Sequence, residues 1–267
     1  MTSTRRSQLA AFMALALSVL ACARQTSVPA VTLPAPSQTA AAPLEVVDPA
    51  LPKQLVERVA EAERAYEEHA EPRAILTLIA DDARIEAARS EHAAPRDWRF
   101  THQRLEAIYT WAAKYAAETT FSYKDVQVVT NTPLHVVFTW TTMSESHGTE
   151  SWFGQRYELE RRGGDWKVIA FRYWPLRPDT GNEFGTAYFA DLDRQVAAAL
   201  KQGDQKQAAY NMMLGYRFDE CAKLARDIAD TNPDDWWSWD MRSRASAMVG
   251  DLEDAIRAGD KAATLKK

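Results

Sequence analysis

The sequence predicts an α+β protein in which three helices pack on an antiparallel sheet and an all-α helical-repeat region follows. Three observations carry that expectation. Apolar residues recur at helical spacing between 51 and 117, β-branched and aromatic runs broken by short turns fill 121–174, and a 34-residue period runs through the C-terminal part.

Ahead of these elements Arg5 and Arg6 precede an uncharged run from Leu9 to Ala21, and Cys22 follows. The run is shorter than the roughly 20 apolar residues that a spanning helix takes, so residues 1–21 read as an export signal. Val19-Leu20-Ala21-Cys22 resembles a bacterial lipobox, although Leu20 replaces the commoner Ala or Ser. The resemblance implies cleavage before Cys22 and lipid on its thiol, hence a lipid-anchored protein of the cell envelope. The alternative is an ordinary secreted protein whose signal ends near a cysteine. In the sorting logic of such lipoproteins Asp after the cysteine favours the inner membrane; Ala23 stands here, which implies the outer membrane in a Gram-negative organism. Residues 22–50 are rich in Ala, Pro, Ser and Thr and read as an extended tether, because such a composition buries no core.

The formal net charge is -5, and removal of the signal takes away two arginines more. No basic cluster remains, which argues against a nucleic-acid partner. With Cys22 lipidated, Cys221 has no disulfide partner and must be buried or reactive. The five histidines are scattered and no Cys-x-x-Cys or His-Glu-x-x-His spacing occurs, so neither a metal site nor a cofactor is expected.

The first folded region spans 51–178. Helices are expected over 51–69, where Leu55, Val59 and Ala62 form one face and Glu57, Glu61, Glu67 and Glu68 the solvent side, and over 72–80, opened by Pro72. A short strand over 83–88 and a third helix over 101–117, lined by Leu105, Ile108, Ala112 and Tyr115, come next. Four strands are expected over 121–130, 134–142, 151–161 and 166–174, with Asn131-Thr132-Pro133 and Gly163-Gly164 as tight turns. On the second of these, Leu134, Val136, Phe138 and Trp140 share the inward face.

Leu78-Ile79-Ala80-Asp81-Asp82-Ala83, the third helix, and the stretch from Tyr157 through Gly163-Gly164-Asp165-Trp166-Lys167-Val168 together resemble the nuclear transport factor 2-like superfamily, near its SnoaL-like branch. The resemblance implies a cone whose bent sheet wraps a long helix and leaves a pocket, and it also implies that a homodimer can form through the sheets. Ketosteroid isomerases of the superfamily place a general-base Asp after the Asp-Asp-Ala segment and a Tyr on the first helix. Here Ala87 falls at the base position and Glu63 at that of the Tyr, with Tyr66 one turn away. An alanine takes no proton, and Glu86 would face the other side of its strand.

Tyr109, Trp140, Tyr157, Arg172 and Trp174 are the expected pocket residues: aromatic surface for a small apolar ligand, with Arg172 either orienting an anionic group or paired with Glu158 or Glu160. His135 and His147 have no nucleophile or carboxylate placed to form a triad.

From 186 to 267 the chain is helical, broken at Gly203, Gly215, Asn232-Pro233 and Gly250. Phe218-Asp219-Glu220-Cys221-Ala222 aligns with Leu252-Glu253-Asp254-Ala255-Ile256, a period of 34 residues that resembles tetratricopeptide repeats. Helix pairs over 204–214 with 217–231 and 234–249 with 251–265 follow, and a helix over 187–202 caps the stack or the tail docks on the cone. Trp236, Trp237 and Trp239 cannot share one helical face, so at least one of them is expected to be exposed, to pack on the cone or to grip a protein partner. The expected function is a membrane-anchored lipoprotein whose cone binds a small ligand or peptide and whose tail recruits an envelope protein. The alternative is a SnoaL-like enzyme doing acid-base chemistry on a small lipophilic substrate, which needs a carboxylate or histidine in an open pocket.

Overall fold

The computed structural model describes residues 48–93, 98–115, 119–146 and 149–266. The expected signal, most of the expected tether, Cys22 and His147 lie outside them. The cone contains α1 (Leu51–His69), α2 (Arg73–Leu78), β1 (Ile79–Ala87), β2 (Trp98–Phe100), α3 (His102–Tyr115), β3 (Thr120–Asn131), β4 (His135–Ser146), β5 (Thr149–Arg162) and β6 (Asp165–Leu176). The α+β class read from the sequence is the one observed.

Local chemistry sets the element ends. Pro52 sits in the first turn of α1, where its missing N–H costs nothing, and Ala70 closes the helix in a left-handed conformation with its N–H on the Tyr66 carbonyl. Thr101 Oγ1 accepts from Arg104 N at 3.1 Å and caps α3. Gly163 and Gly164 have φ of 60° and 91°, the pair of positive values that a two-residue hairpin turn requires. α2 stops at Leu78, short of the expected 80, because Ile79 already pairs with Val168 of β6.

The strand order is β2-β1-β6-β5-β4-β3. β3 to β6 form the expected antiparallel meander, but β1 lies parallel to β6, so the sheet is mixed. The three-residue β2, antiparallel to β1, is too short to show alternation in sequence. Leu134 does not join the inward stripe of β4: it sits at the turn, 56% exposed, and the buried face begins at Val136. That face, Val136, Phe138 and Trp140, packs with Tyr157, Leu159, Val168 and Phe171 in one core shared with Val59 of α1 and Ile108 of α3. Each large side chain so buried contributes about 1.5–3 kcal/mol.

The tail contains α4 (Thr186–Gln202), α5 (Gln205–Leu214), α6 (Phe218–Thr231), α7 (Trp236–Met248) and α8 (Leu252–Leu265). Asp204, Asp235 and Asp251 cap α5, α7 and α8, each accepting from a backbone N–H three residues on. Cys221 and Ala255, one period apart, are both fully buried. The Cys221 thiol donates to the Ala209 carbonyl at 3.2 Å.

The tail docks on the cone and continues its core. Trp111 Nε1 donates to Ser243 Oγ at 2.8 Å, Tyr115 Oη to the Ile256 carbonyl at 2.8 Å, and Lys114 pairs with Asp260 at 2.8 Å. Arg104 reaches Asp219 at 2.6 Å and the Val249 carbonyl at 3.1 Å. Gly259 permits this approach, since a Cβ there would lie 2.5 Å from the Tyr115 ring. No helix among the described residues is long and apolar enough to cross a membrane.

Candidate functional site

Between the concave face of the sheet, α1, α3 and the tail lies a cavity of about 120 Å³. That is several times the roughly 10–15 Å³ that a water needs and below the ~300 Å³ at which drug-sized pockets begin. It accommodates a ligand of a few heavy atoms and excludes a folded-out peptide.

Its walls follow from strand alternation. On β5, Phe153 and Gln155 face inward, and on β6, Phe171 and Tyr173 do so. Tyr173 stands opposite Gln155, and Gln155 opposite Trp140. The Gln155 carboxamide oxygen accepts from Trp140 Nε1 and Thr142 Oγ1, which fixes the amide at the wall. From α3 come Leu105, Ile108, Tyr109 and Trp111, and Tyr109 stacks on Tyr66 of α1 with ring centroids 4.4 Å apart. The tail closes the cone with Met213, Tyr216, Phe218 and Met248.

The acidic content comes from α1. Glu63 and Glu67, one helical turn apart, both line the cavity. Glu63 is 3% exposed and accepts a hydrogen bond from Tyr157 Oη. Burial pushes its carboxyl up to about 7, against the lowering effect of that hydrogen bond. Burial and then the neighbouring Glu63 push Glu67 up to about 8. The phenols of Tyr66, Tyr109 and Tyr157 are driven well above their ordinary value, by burial first and the Glu63 charge among the further causes, so they stay neutral donors.

The sequence-derived pocket residues divide into three groups. Tyr109 lines the cavity. Trp140 and Tyr157 stand directly behind the wall, holding Gln155 and Glu63. Arg172 and Trp174 lie outside it, because the alternation of β6 that turns Phe171 and Tyr173 inward turns these two outward. Arg172 Nη2 donates to the Ala93 carbonyl at 2.8 Å and its Nε is 3.7 Å from Glu86, rather than from Glu158 or Glu160. Trp174 packs in a separate cluster with Ala88, Leu176 and Trp152. Ala87 is fully buried in the core and offers no base.

Glu67 and Glu68, placed by sequence on the solvent face, are corrected: Glu67 lines the cavity and Glu68 accepts from Phe121 N at 3.0 Å. The signal was present, since extending the stripe of Leu55 and Val59 by single helical turns lands on Glu63 and Glu67.

Trp236, Trp237 and Trp239 are half-buried within the tail, under Lys266 at 4.3 Å, Lys206 at 5.4 Å and Arg242 at 5.1 Å respectively. Among the described residues no group of three or more His, Cys, Asp or Glu is placed to hold a metal.

No family pattern and no curated protein matches the chain. Solved structures do. A nuclear transport factor 2-like protein of unknown function from Pseudomonas putida is 16% identical with a TM-score of 0.40, covering 52% of this chain and 96% of its own. A Parabacteroides distasonis protein named for a ketosteroid isomerase is 15% identical, TM-score 0.39, covering 50% and 94%. A Streptomyces avermitilis protein of the same fold family, named for a dehydratase, is 14% identical, TM-score 0.38, covering 48% and 99%. Likenesses this distant assign neither activity nor ligand.

Proposed function

We propose that this chain is a lipid-anchored protein of the cell envelope whose cone binds a small, largely apolar ligand with a polar group directed at Glu63 and Glu67. The observation that carries the reading is the cavity itself, walled by aromatic rings and holding two carboxylates in a place that favours neither charge. A structural core would be filled at this position. The tail contributes a wall of the ligand site and, through the partly exposed faces around Trp236, Trp237 and Trp239 at the start of α7, a surface for an envelope partner. Its 34-residue period with Asp-capped helices supports a tetratricopeptide-like role in protein contact.

Thermal stabilisation of the protein by a panel of molecules with fewer than about ten heavy atoms, covering cationic, neutral and anionic classes, tests the cavity reading. Stabilisation by at least one class, abolished by filling the cavity with Phe153→Trp, is the expected result; no response to any class would overturn it. Anchoring at Cys22, at the outer membrane if the organism has one, is tested by palmitate labelling that disappears in Cys22→Ser.

A second reading has a specific observation in its favour. Glu63, raised to about 7 and hydrogen-bonded by Tyr157, has the protonation balance of a general acid or base at neutral pH. In that reading the cone is an acid-base enzyme on a small substrate. Incorporation of solvent deuterium next to the carbonyl of small ketones, lost in Glu63→Gln, is its signature; wild-type protein that leaves the exchange at the buffer rate excludes proton abstraction from such ketones.

A further inference from the structure

We infer that the ligand of the cavity is a small organic cation, an alkylammonium or quaternary ammonium group seated between the two α1 carboxylates and the surrounding rings. This rests on the ligand-site reading above and specifies its chemistry.

Charge comes first. Glu63 and Glu67 are the acidic residues of the wall, and among the described residues Glu67 has neither a hydrogen bond nor an ion pair, while Glu63 has the Tyr157 hydroxyl alone. Ionised carboxylates in an apolar surrounding are costly, so these two either hold their protons or take a counter-charge. Arg244 is the basic residue of the wall, but it is held by Asp240, with Nε 2.9 Å from Oδ2 one helical turn away. Its charge is already balanced.

Ring placement comes second. Tyr66 and Tyr109, stacked at 4.4 Å, form one side, while Phe171 and Tyr173, 5.7 Å apart, form the other, with Phe153 set edge-on to Tyr173 at 6.2 Å. Aromatic faces attract a desolvated cation through their quadrupoles, and groups of them are the known device for holding alkylated ammonium. The same wall disfavours a metal ion. Ca²⁺ asks for six to eight oxygen ligands and Mg²⁺ for near-octahedral oxygen geometry, whereas beside the two carboxylates the wall offers the Thr142 and Ser144 hydroxyls and a Gln155 oxygen that already accepts from Trp140 and Thr142. An anion would meet the Glu pair directly. A cavity of about 120 Å³ limits the ligand to a head group with a short substituent.

Binding a cation requires ionised carboxylates, so affinity rises with pH. The titratable and charged groups facing the site are Glu63, Glu67 and Tyr66 on α1, Tyr109 on α3, Tyr157 and Tyr173 on the sheet, and Tyr216 and Arg244 from the tail. Burial drives Tyr66, Tyr109, Tyr157 and Tyr173 above their ordinary value, which leaves the two glutamates, pushed up to about 7 and about 8, as the groups that titrate near neutral pH.

The experiment is isothermal titration of the full folded chain with choline, with its neutral isostere 3,3-dimethyl-1-butanol, and with butyrate, at pH 6 and pH 8.5. Choline is expected to bind at least about tenfold tighter than the isostere, tighter at the higher pH, and with loss of about tenfold or more in Glu67→Gln, the scale of a charge-assisted contact. Glu63→Gln provides the second variant, and the wild-type comparison of choline with its isostere needs no variant at all. Equal binding of choline and the alcohol, or preference for butyrate, overturns the cation inference and leaves the ligand site standing. Absence of binding by all three, together with no response in the wider panel, overturns both.

Discussion

Tyr157 donates a hydrogen bond to Glu63 inside the cone, and both side chains are buried. The sheet provides the donor and α1 the acceptor, so this bond ties the helix to the concave face beside the cavity. It also leaves a carboxyl buried without a positive partner, and the pH dependence of the protein follows from that.

Stability of the ligand-free protein falls as pH rises from about 4.5 to about 8. Glu63 and Glu67 have folded values of about 7 and about 8 against 4.5 for an unperturbed carboxyl, so the folded state holds protons that the unfolded state releases. Below pH 4.5 both states are protonated and no penalty exists; above about 8 the penalty is complete, on the order of 3 kcal/mol for Glu63. Urea unfolding at a series of pH values measures it. Glu63→Gln keeps an acceptor for Tyr157 and should flatten the profile, gaining stability at pH 9 and changing little at pH 5.

The helical tail has the opposite kind of acid. Asp254 is 4% exposed and accepts from Arg242 at 2.9 Å, Arg257 at 2.5 Å and Ser246 at 2.7 Å. Burial works against its charge, but the bonds from Arg242, Ser246 and Arg257 outweigh it and hold the carboxyl far below the usual range. Its contribution is present above pH 4 and fades only in strong acid. Asp254→Ala leaves Arg242 with Asp230 alone, at 2.7 Å, and should cost about 1.5–3 kcal/mol, read as a lower urea midpoint; an unchanged midpoint would mean that the arginines find other partners.

Gly259→Ala places a methyl against the Tyr115 ring and should loosen the tail from the cone. The expected cost is about 1–3 kcal/mol, and amide exchange should speed up along α7 and α8 while the β4 and β5 amides keep their protection. Uniform acceleration across the molecule would instead show that cone and tail unfold as one unit.

Cys221, fully buried with burial pushing its thiol up to about 12, should not react with thiol reagents in the native protein. One equivalent should react in denaturant once Cys22 is lipidated or replaced. Rapid native labelling would show that α5 and α6 open readily.

Much of the fold was legible because its signals are local. Alternation in β4, the Gly163-Gly164 turn and the 34-residue spacing of Cys221 and Ala255 are each read directly along the sequence. What was not legible depends on contacts far along the chain. The parallel pairing of β1 with β6 joins Ile79 to Val168, and no local pattern announces it. The inward face of β6 could be read only as a choice between two parities, and aromatic content pointed to Trp174 where the register selects Phe171 and Tyr173. The site itself was hidden by chemistry, since glutamates on a helix are ordinarily solvent-facing, and Glu67 among Glu61 and Glu68 looked like more of the same. The closing wall from the tail required knowing that α3 offers Trp111 and Tyr115 to Ser243 and Ile256.

Carbon-13 titration of the glutamate carboxyls by NMR, with Glu63 and Glu67 assigned through their Gln variants, tests the central claim most directly. Apparent midpoints near 7 and 8 in the free protein, falling when choline saturates the cavity, are predicted for the pair. Two midpoints near 4.5, unmoved by any small ligand, would show that these carboxylates are solvated and that the cone holds no such site.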